Sequence, residues 1–355
     1  MEQLDEVWVL GGTGRIAKRA AAMLAKNGAR TVLVGRNAVR LDEAAAETGA
    51  AETLSVDDPT AMADAIRRQR PAVVVNTVGP FATTSQTLAE ACLPTTSYVD
   101  IANDMTSAAA IIELDETARR HGRTLVTGAG FGVVGTEAPL TLLCDGRPAP
   151  ARVRVDSAAS LAIPAGTLGQ AMSDTLIDMF STSGRHVVDG RFASAPIGSS
   201  SRSLTLPDGS TVMTGAWPSA DLIAAHRVSG APEIVAATTE VPTGRVARAA
   251  LPMARAALRV RGLRRLATRG LATMRLRERP MTRADSWGHA SAEWPDGQTQ
   301  DAWLRAGDAN DFTARVLAEA ALRILHGHAS PGAGTPIRLL GADLVETAGG
   351  EVYLS

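Results

Sequence analysis

The residues best suited to chemistry lie close to the N-terminus. Gly11-Gly12-Thr13-Gly14 follows the apolar run Val7-Trp8-Val9-Leu10 and precedes Arg15-Ile16-Ala17 and an alanine-rich stretch reaching Asn27. A strand, a glycine turn and a helix start in this order make a phosphate-binding loop, because the helix end offers unpaired N–H groups and a positive partial charge to an anion. Gly11 permits the tight turn out of the strand and Gly14 lets the backbone approach a pyrophosphate. Ala17 stands where a third glycine would keep the helix near the sheet. The alternative is a structural turn without a ligand.

The end of the next strand bears on which dinucleotide is bound. Sites for NAD place an acid there, against the ribose 2′-OH. Here Thr31-Val32-Leu33-Val34 runs into Gly35-Arg36-Asn37, with no acid before Asp42. A guanidinium at Arg36 matches a 2′-phosphate in charge and geometry, which points to NADP; the other reading of Arg36 is a solvated helix-start residue. Asp57-Asp58 follows the third strand, where Asp57 is a candidate acceptor for the adenine amino group and Asp58 a helix cap before Pro59. Asn76-Thr77-Val78-Gly79-Pro80 follows the fourth strand, where its backbone and the Asn76 amide are expected to line the nicotinamide ribose.

The elements needed to position these residues are legible. Short β-branched runs alternate with helical segments through about residue 130: strands at 7–10, 31–34, 53–56, 72–75, 97–101 and 123–127, with helices between them. This alternation predicts an α/β fold, a Rossmann domain with a parallel sheet covered on both faces, over residues 1–130. Beyond Gly130 the rhythm changes to period-two strands, beginning at Arg152-Val153-Arg154-Val155-Asp156. Residues 131–330 are therefore expected to form an α+β domain for substrate binding and dimerisation, with a hairpin turning at Pro295-Asp296-Gly297 and a helix from about Asn310 to Gly327. Residues 331–355 are expected to form a C-terminal segment that packs back on the Rossmann domain.

Five segments together, Gly11-Gly12-Thr13-Gly14, Val34-Gly35-Arg36-Asn37, Val78-Gly79-Pro80-Phe81, Tyr98-Val99-Asp100 and Gly128-Ala129-Gly130-Phe131, resemble the saccharopine dehydrogenase superfamily, especially its trans-acting enoyl reductase-like branch. The resemblance is close over the first 131 residues and loose beyond them. It implies an NADP-binding domain followed by a substrate domain, and chemistry such as reductive C–N bond formation or enoyl reduction. The turn after Phe131 lacks the acid and the Pro-Ser pair common in that family, so the resemblance designates no substrate.

For the proton that must accompany hydride transfer, Tyr98 and Asp100 are the candidates: strand alternation puts them on one face at the end of the fifth strand, beside Asn76. A buried acceptor holding loop amides is the other reading of Asp100, and a packed ring that of Tyr98. Phe131, Gly166 and Thr167 are the candidates for substrate contact, with Thr167 read as the N-cap of a helix running to Ser181, either facing the crevice or serving simply as a cap. The histidines show no metal-ligand or triad spacing, so no metal is expected, and the absence of a Gly-x-Ser-x-Gly elbow argues against a hydrolase.

A net charge of -1 argues against nucleic-acid binding, and two unpaired cysteines suit a reducing cytoplasm. No signal peptide or membrane-spanning segment is expected, and the excess of Arg over Lys is the bias of a GC-rich bacterial genome. From Arg245 to Arg283 there are twelve arginines and one acid, Glu278, interleaved with Leu and Met. This stretch reads as solvated surface helices, as a dock for an acidic partner such as an acyl carrier protein, or as a contact with an anionic membrane surface. The function these features suggest is NADPH-dependent reduction of a C=C, C=N or C=O bond on a small or carrier-tethered metabolite in secondary metabolism. The alternatives are a non-catalytic NADP-binding redox sensor and a redox-neutral, epimerase-like enzyme with tightly bound NADP.

Overall fold

Continuous apolar runs become central parallel strands because both of their faces must be covered. A computed structural model describes residues 6–162, 165–168, 183–241 and 260–355, with Ser173, Ile177, Gly244, Met253 and residues 256–258. The chain divides into two units, Met1–Val134 with Asn310–Gly350, and Gly135–Ala309 with Glu351–Ser355. The division is not a simple split in sequence order: most of the helix Ala309–Leu325 and the segment up to Gly350 group with the N-terminal residues.

The first unit contains β1 (Glu6–Leu10), β2 (Arg30–Gly35), β3 (Glu52–Ser55), β4 (Val73–Asn76), β5 (Ser97–Asp100) and β6 (Thr124–Val126). A further strand, Gly332–Gly334, pairs parallel with β6 and makes a seventh, in a stretch whose proline and glycine content reads as a loop. The order across the sheet is Gly332–Gly334, β6, β5, β4, β1, β2, β3, every pair parallel. Chain direction across the sheet reverses between β1 and β4, the place where open α/β sheets bind ligands beyond their carboxyl ends. The register sets Val34, Leu10, Asn76 and Asp100 side by side at that end. Behind it, α1 (Arg15–Lys26) buries Ala17, Ala20, Ala21 and Leu24, the spacing of one helical face. α2 (Ala38–Thr48) and α3 (Pro59–Gln69) follow β2 and β3 in the same way.

The second unit is built on a nine-stranded mixed sheet with Arg152–Ala158 near its centre, parallel to Glu233–Thr238 and antiparallel to Ser286–Glu293. The hairpin of Ser286–Glu293 with Thr299–Ala306 forms as its turn residues predict. A second hairpin, Arg202–Thr205 with Thr211–Ala216, helps form a small core in which Leu204, Leu206, Trp287 and Trp303 cluster with Ala158.

The unit also buries an acid. Asp221, in the helix Ala220–Ser229, is 5% exposed and accepts hydrogen bonds from Thr136 Oγ1 at 3.1 Å and from Ser219 Oγ. Burial pushes its carboxyl up to about 6 against the pull of these hydroxyls, and the negative charge of Glu240 adds to the rise. A raised carboxyl favours the protonated form in the fold. Stability is therefore fully present below the unfolded value near 4 and falls as pH rises through 6, by about 3 kcal/mol at the upper limit. Asp221→Asn should raise the melting temperature at pH 8 and make little difference below pH 4. An equal effect at both ends of a melting-temperature profile would contradict this account.

Candidate cofactor-binding site

The turn after β1 is closed by backbone alone. Gly11 N and Gly12 N both donate to Val34 O, at 2.9 and 3.1 Å, and Gly14 N donates to Gly11 O at 2.8 Å. Gly11 has φ +77°, and a Cβ there would also lie 2.7 Å from Thr77 Oγ1; one on Gly12 would lie 2.8 Å from Leu33 Cβ. The loop thus requires glycine both for its conformation and for its closeness to neighbouring strands.

The three helices that follow β1, β2 and β3 start differently. Asn37 caps α2, accepting from Arg40 N at 3.0 Å, and Asp58 caps α3, accepting from Thr60 N and Ala61 N at 2.8 and 2.9 Å. Gly14 at the start of α1 brings no side chain, and the first turn of α1 holds no acid. Its opening N–H groups, those of Arg15 and Ile16 among them, have no side-chain acceptor at a site where one is normally supplied. That is the arrangement a pyrophosphate would complete, so the loop fits a dinucleotide.

Arg36 lies immediately beyond β2, exposed and without an ion pair among the described residues, at the sheet end where Leu10 and Val34 are level. Asn37, expected to touch the cofactor, has its side-chain oxygen occupied as a cap. Asp57 is exposed beyond β3. The turn Thr77, Val78, Gly79 and Pro80 is half-buried and anchored to β1 through Thr77 Oγ1, which donates to Leu10 O at 2.8 Å.

A chain of buried hydrogen bonds fixes this turn. Asn76 Oδ1 accepts from Val78 N at 2.9 Å and Asn76 Nδ2 donates to Tyr98 Oη at 2.8 Å. Tyr98 donates to Asp100 Oδ2 at 2.9 Å, and Asp100 Oδ1 accepts from Ala102 N, Thr127 Oγ1 and Gly128 N at 3.0, 2.8 and 3.1 Å. Asn76, Tyr98 and Asp100 have no accessible surface. Burial, reinforced by the Asp100 charge, drives the Tyr98 hydroxyl well above its ordinary value, and burial raises Asp100 against its hydrogen bonds. The crevice position and proton-donor role expected of Tyr98 and Asp100 thus meet a structure in which both are enclosed and fully paired. The same holds for the Asn76 amide expected to line a ribose. What these three do here is tie the ends of β4, β5 and β6 together. Thr127 and Gly128, two of the donors, carried no signal in the sequence beyond the glycine of Gly128-Ala129-Gly130.

The substrate candidates belong to both units. Phe131 is buried in the first unit, its ring edge-on to Phe312 with centroids 6.2 Å apart, and its N–H donates to Thr313 Oγ1 at 3.0 Å. Gly166 and Thr167 belong to the second unit, where they pair as a short exposed strand with Arg275–Leu276. Leu168 N donates to Met274 O at 3.1 Å, continuing that ladder, and the helix start that Thr167 is expected to cap lies outside the described residues. Part of the helix expected after it falls outside the described residues.

A charged cluster in the second unit escaped the sequence reading altogether. Asp156, fully buried, pairs with Arg154 and Arg202, accepts from Thr214 Oγ1, and faces His289 Nδ1 at 3.2 Å; His289 Nε2 lies 3.0 Å from Asp301. Burial alone would raise Asp156, but His289 and the two guanidiniums hold it well below the carboxylate range. Burial pulls His289 down and its two carboxylate partners more than restore it. Five strands contribute these side chains, and only the alternation of Arg154 and Asp156 hinted at a shared face. No group of His, Cys, Asp and Glu among the described residues is arranged to hold a metal.

Residues 7–126 match the family model described as the saccharopine dehydrogenase NADP binding domain. The first unit carries a saccharopine dehydrogenase NADP-binding domain. The superfamily resemblance read from the glycine loop, Arg36 and the later turns is thereby borne out, and so is NADP as its cofactor. Over the whole chain the fold is like that of apo saccharopine dehydrogenase (L-Glu forming) from Saccharomyces cerevisiae, with a TM-score of 0.63 and 13% identity, covering 99% of this chain and 100% of that one. A short chain dehydrogenase from Bacillus anthracis (TM-score 0.29, 16% identity, 35% of this chain and 76% of that one) and serine dehydrogenase from Escherichia coli (0.29, 14%, 34% and 80%) share a likeness too slight to bear on function. No curated protein matches the sequence.

If the buried tie holds the NADP-binding domain's turn in place, Tyr98→Phe should cost about 1–3 kcal/mol, since Asn76 Nδ2 and Asp100 Oδ2 lose their shared partner. NADPH affinity should weaken with it. An unfolding midpoint in urea equal to that of the wild type would show that the tie contributes nothing.

Proposed function

We propose that the protein is an NADPH-dependent reductase that delivers hydride to a C=C, C=N or C=O bond of a small or carrier-tethered metabolite. The observation that carries this reading is the uncapped start of α1 beside an unpaired Arg36. Together they form a site for two anionic groups, a pyrophosphate on the helix N-terminus and a 2′-phosphate on the guanidinium. NADPH, when bound, supplies the hydride. The residues of this chain do the positioning. Gly11 to Ile16 would cradle the pyrophosphate through backbone N–H groups. The turn Thr77 to Pro80, held by Asn76 and Thr77, would form a wall of the site at the β1–β4 switch point. Asp57 would reach the adenine end.

The reading of Arg36 has a direct test. Titration should give tighter binding of NADPH than of NADH, and Arg36→Ala should weaken NADPH on the order of tenfold to a hundredfold while leaving NADH unchanged. Equal affinity for the two nucleotides in the wild type would remove the assignment of Arg36 to the 2′-phosphate. Stoichiometric NADPH consumption with unsaturated candidate substrates tests the reaction itself.

A further inference from the structure

The second unit carries a helix that leaves two of its leucines uncovered. Arg261–Ala272 contains four arginines and no acid. At roughly 3.6 residues per turn, Leu263, Leu266, Ala267 and Gly270 fall on one side and Arg261, Arg264, Arg265 and Thr268 on the opposite one. A surface helix ordinarily buries its apolar stripe. Here the inward side is centred on Thr268, with Arg264, Ala267, Leu271 and Ala272 half-buried around it, whereas Leu263 is 49% and Leu266 69% exposed. Val260 just before the helix and Met274 just after it are also exposed.

The surrounding charge has a single sign. Arg275, Arg277 and Arg279 are exposed beyond the helix, and Glu278 is the sole acid from Arg261 to Arg283. None of Arg261, Arg265, Arg269, Arg275, Arg277 and Arg279 forms an ion pair among the described residues.

We infer that Arg261–Ala272 is a contact for an anionic membrane surface, with its leucine stripe entering the headgroup layer and its arginines engaging acidic lipid headgroups. The outward order of the side chains favours a bilayer over an acidic protein. A dock led by charge presents its arginines outermost; here leucines are outermost and the long arginine side chains reach round from the flanks, as in helices that lie in a lipid interface. A second copy of the chain would set arginine against arginine. No described helix is long and apolar enough to cross a membrane, so the contact is with its surface.

The test is flotation of the full chain with vesicles of phosphatidylcholine alone and of phosphatidylcholine with phosphatidylglycerol. Binding should require phosphatidylglycerol and weaken with added salt. Leu263→Ser combined with Leu266→Ser should lower affinity at least about tenfold. Arg261→Gln, Arg265→Gln and Arg269→Gln together should lower it on the order of a hundredfold. Because these side chains are exposed, the melting temperature should hold in both variants. Failure to float with phosphatidylglycerol overturns the inference. So does a leucine variant that floats like the wild type, which would leave only charge attraction. Capture of an acidic acyl carrier protein through the same residues, with vesicles ignored, would reassign the surface to a protein partner.

Discussion

Asp100 accepts hydrogen bonds from Tyr98, Ala102, Thr127 and Gly128 in a place with no access to water. A carboxylate offers about four lone-pair directions; here four donors converge on it, three at Oδ1 and Tyr98 at Oδ2. Taking a carboxyl out of water is costly unless it is paired this fully, so the interaction permits little play in the backbone that supplies the donors. That backbone is the carboxyl end of two neighbouring parallel strands, β5 and β6. Through Tyr98 the constraint passes to Asn76 and on to the Thr77–Pro80 turn, which in turn reaches the β1 end through Thr77. The geometry of the dinucleotide site therefore depends on a group that need never touch a ligand.

The phosphate loop follows the opposite logic. Where the sheet end is tied, its polar groups are consumed inside the protein; at α1 they are left over. Asn37 and Asp58 satisfy their helix starts, while Gly14 cannot. The N–H groups left open at α1, directly after the glycine loop, are the ones a pyrophosphate would take.

The six N-terminal strands were legible because β-branched runs bounded by glycine turns have few other uses. The Gly332–Gly334 strand was not, because glycine and alanine bear no β-propensity. That strand exists because β6 offers an unpaired edge, a tertiary reason no local pattern reports. The phosphate loop and Arg36 were readable because backbone conformation and charge decide them locally. Tyr98 and Asp100 were placed on the right face, yet their burial depends on Thr127 and Gly128, far along the chain, and so their enclosure could not be read from the strand itself. Asn37 shows the reverse case: a residue chosen for the cofactor was claimed by its own helix. The Asp156 cluster draws on five strands, and its members carry no mutual spacing in the sequence.

The chain leaves the N-terminal unit at Val134, returns at Asn310 and leaves again after Gly350, having set Gly332–Gly334 against β6. During synthesis the cofactor-binding sheet must therefore wait for residues made some two hundred positions after β6. Until they emerge from the ribosome, β6 is an open edge of hydrogen-bonding groups, the kind of surface that recruits stray strands. The second sheet waits longer still, since Glu351–Leu354 pairs with Thr299–Ala306. Neither unit is a contiguous gene segment, so exchange of one for a homologous module by simple recombination would break both.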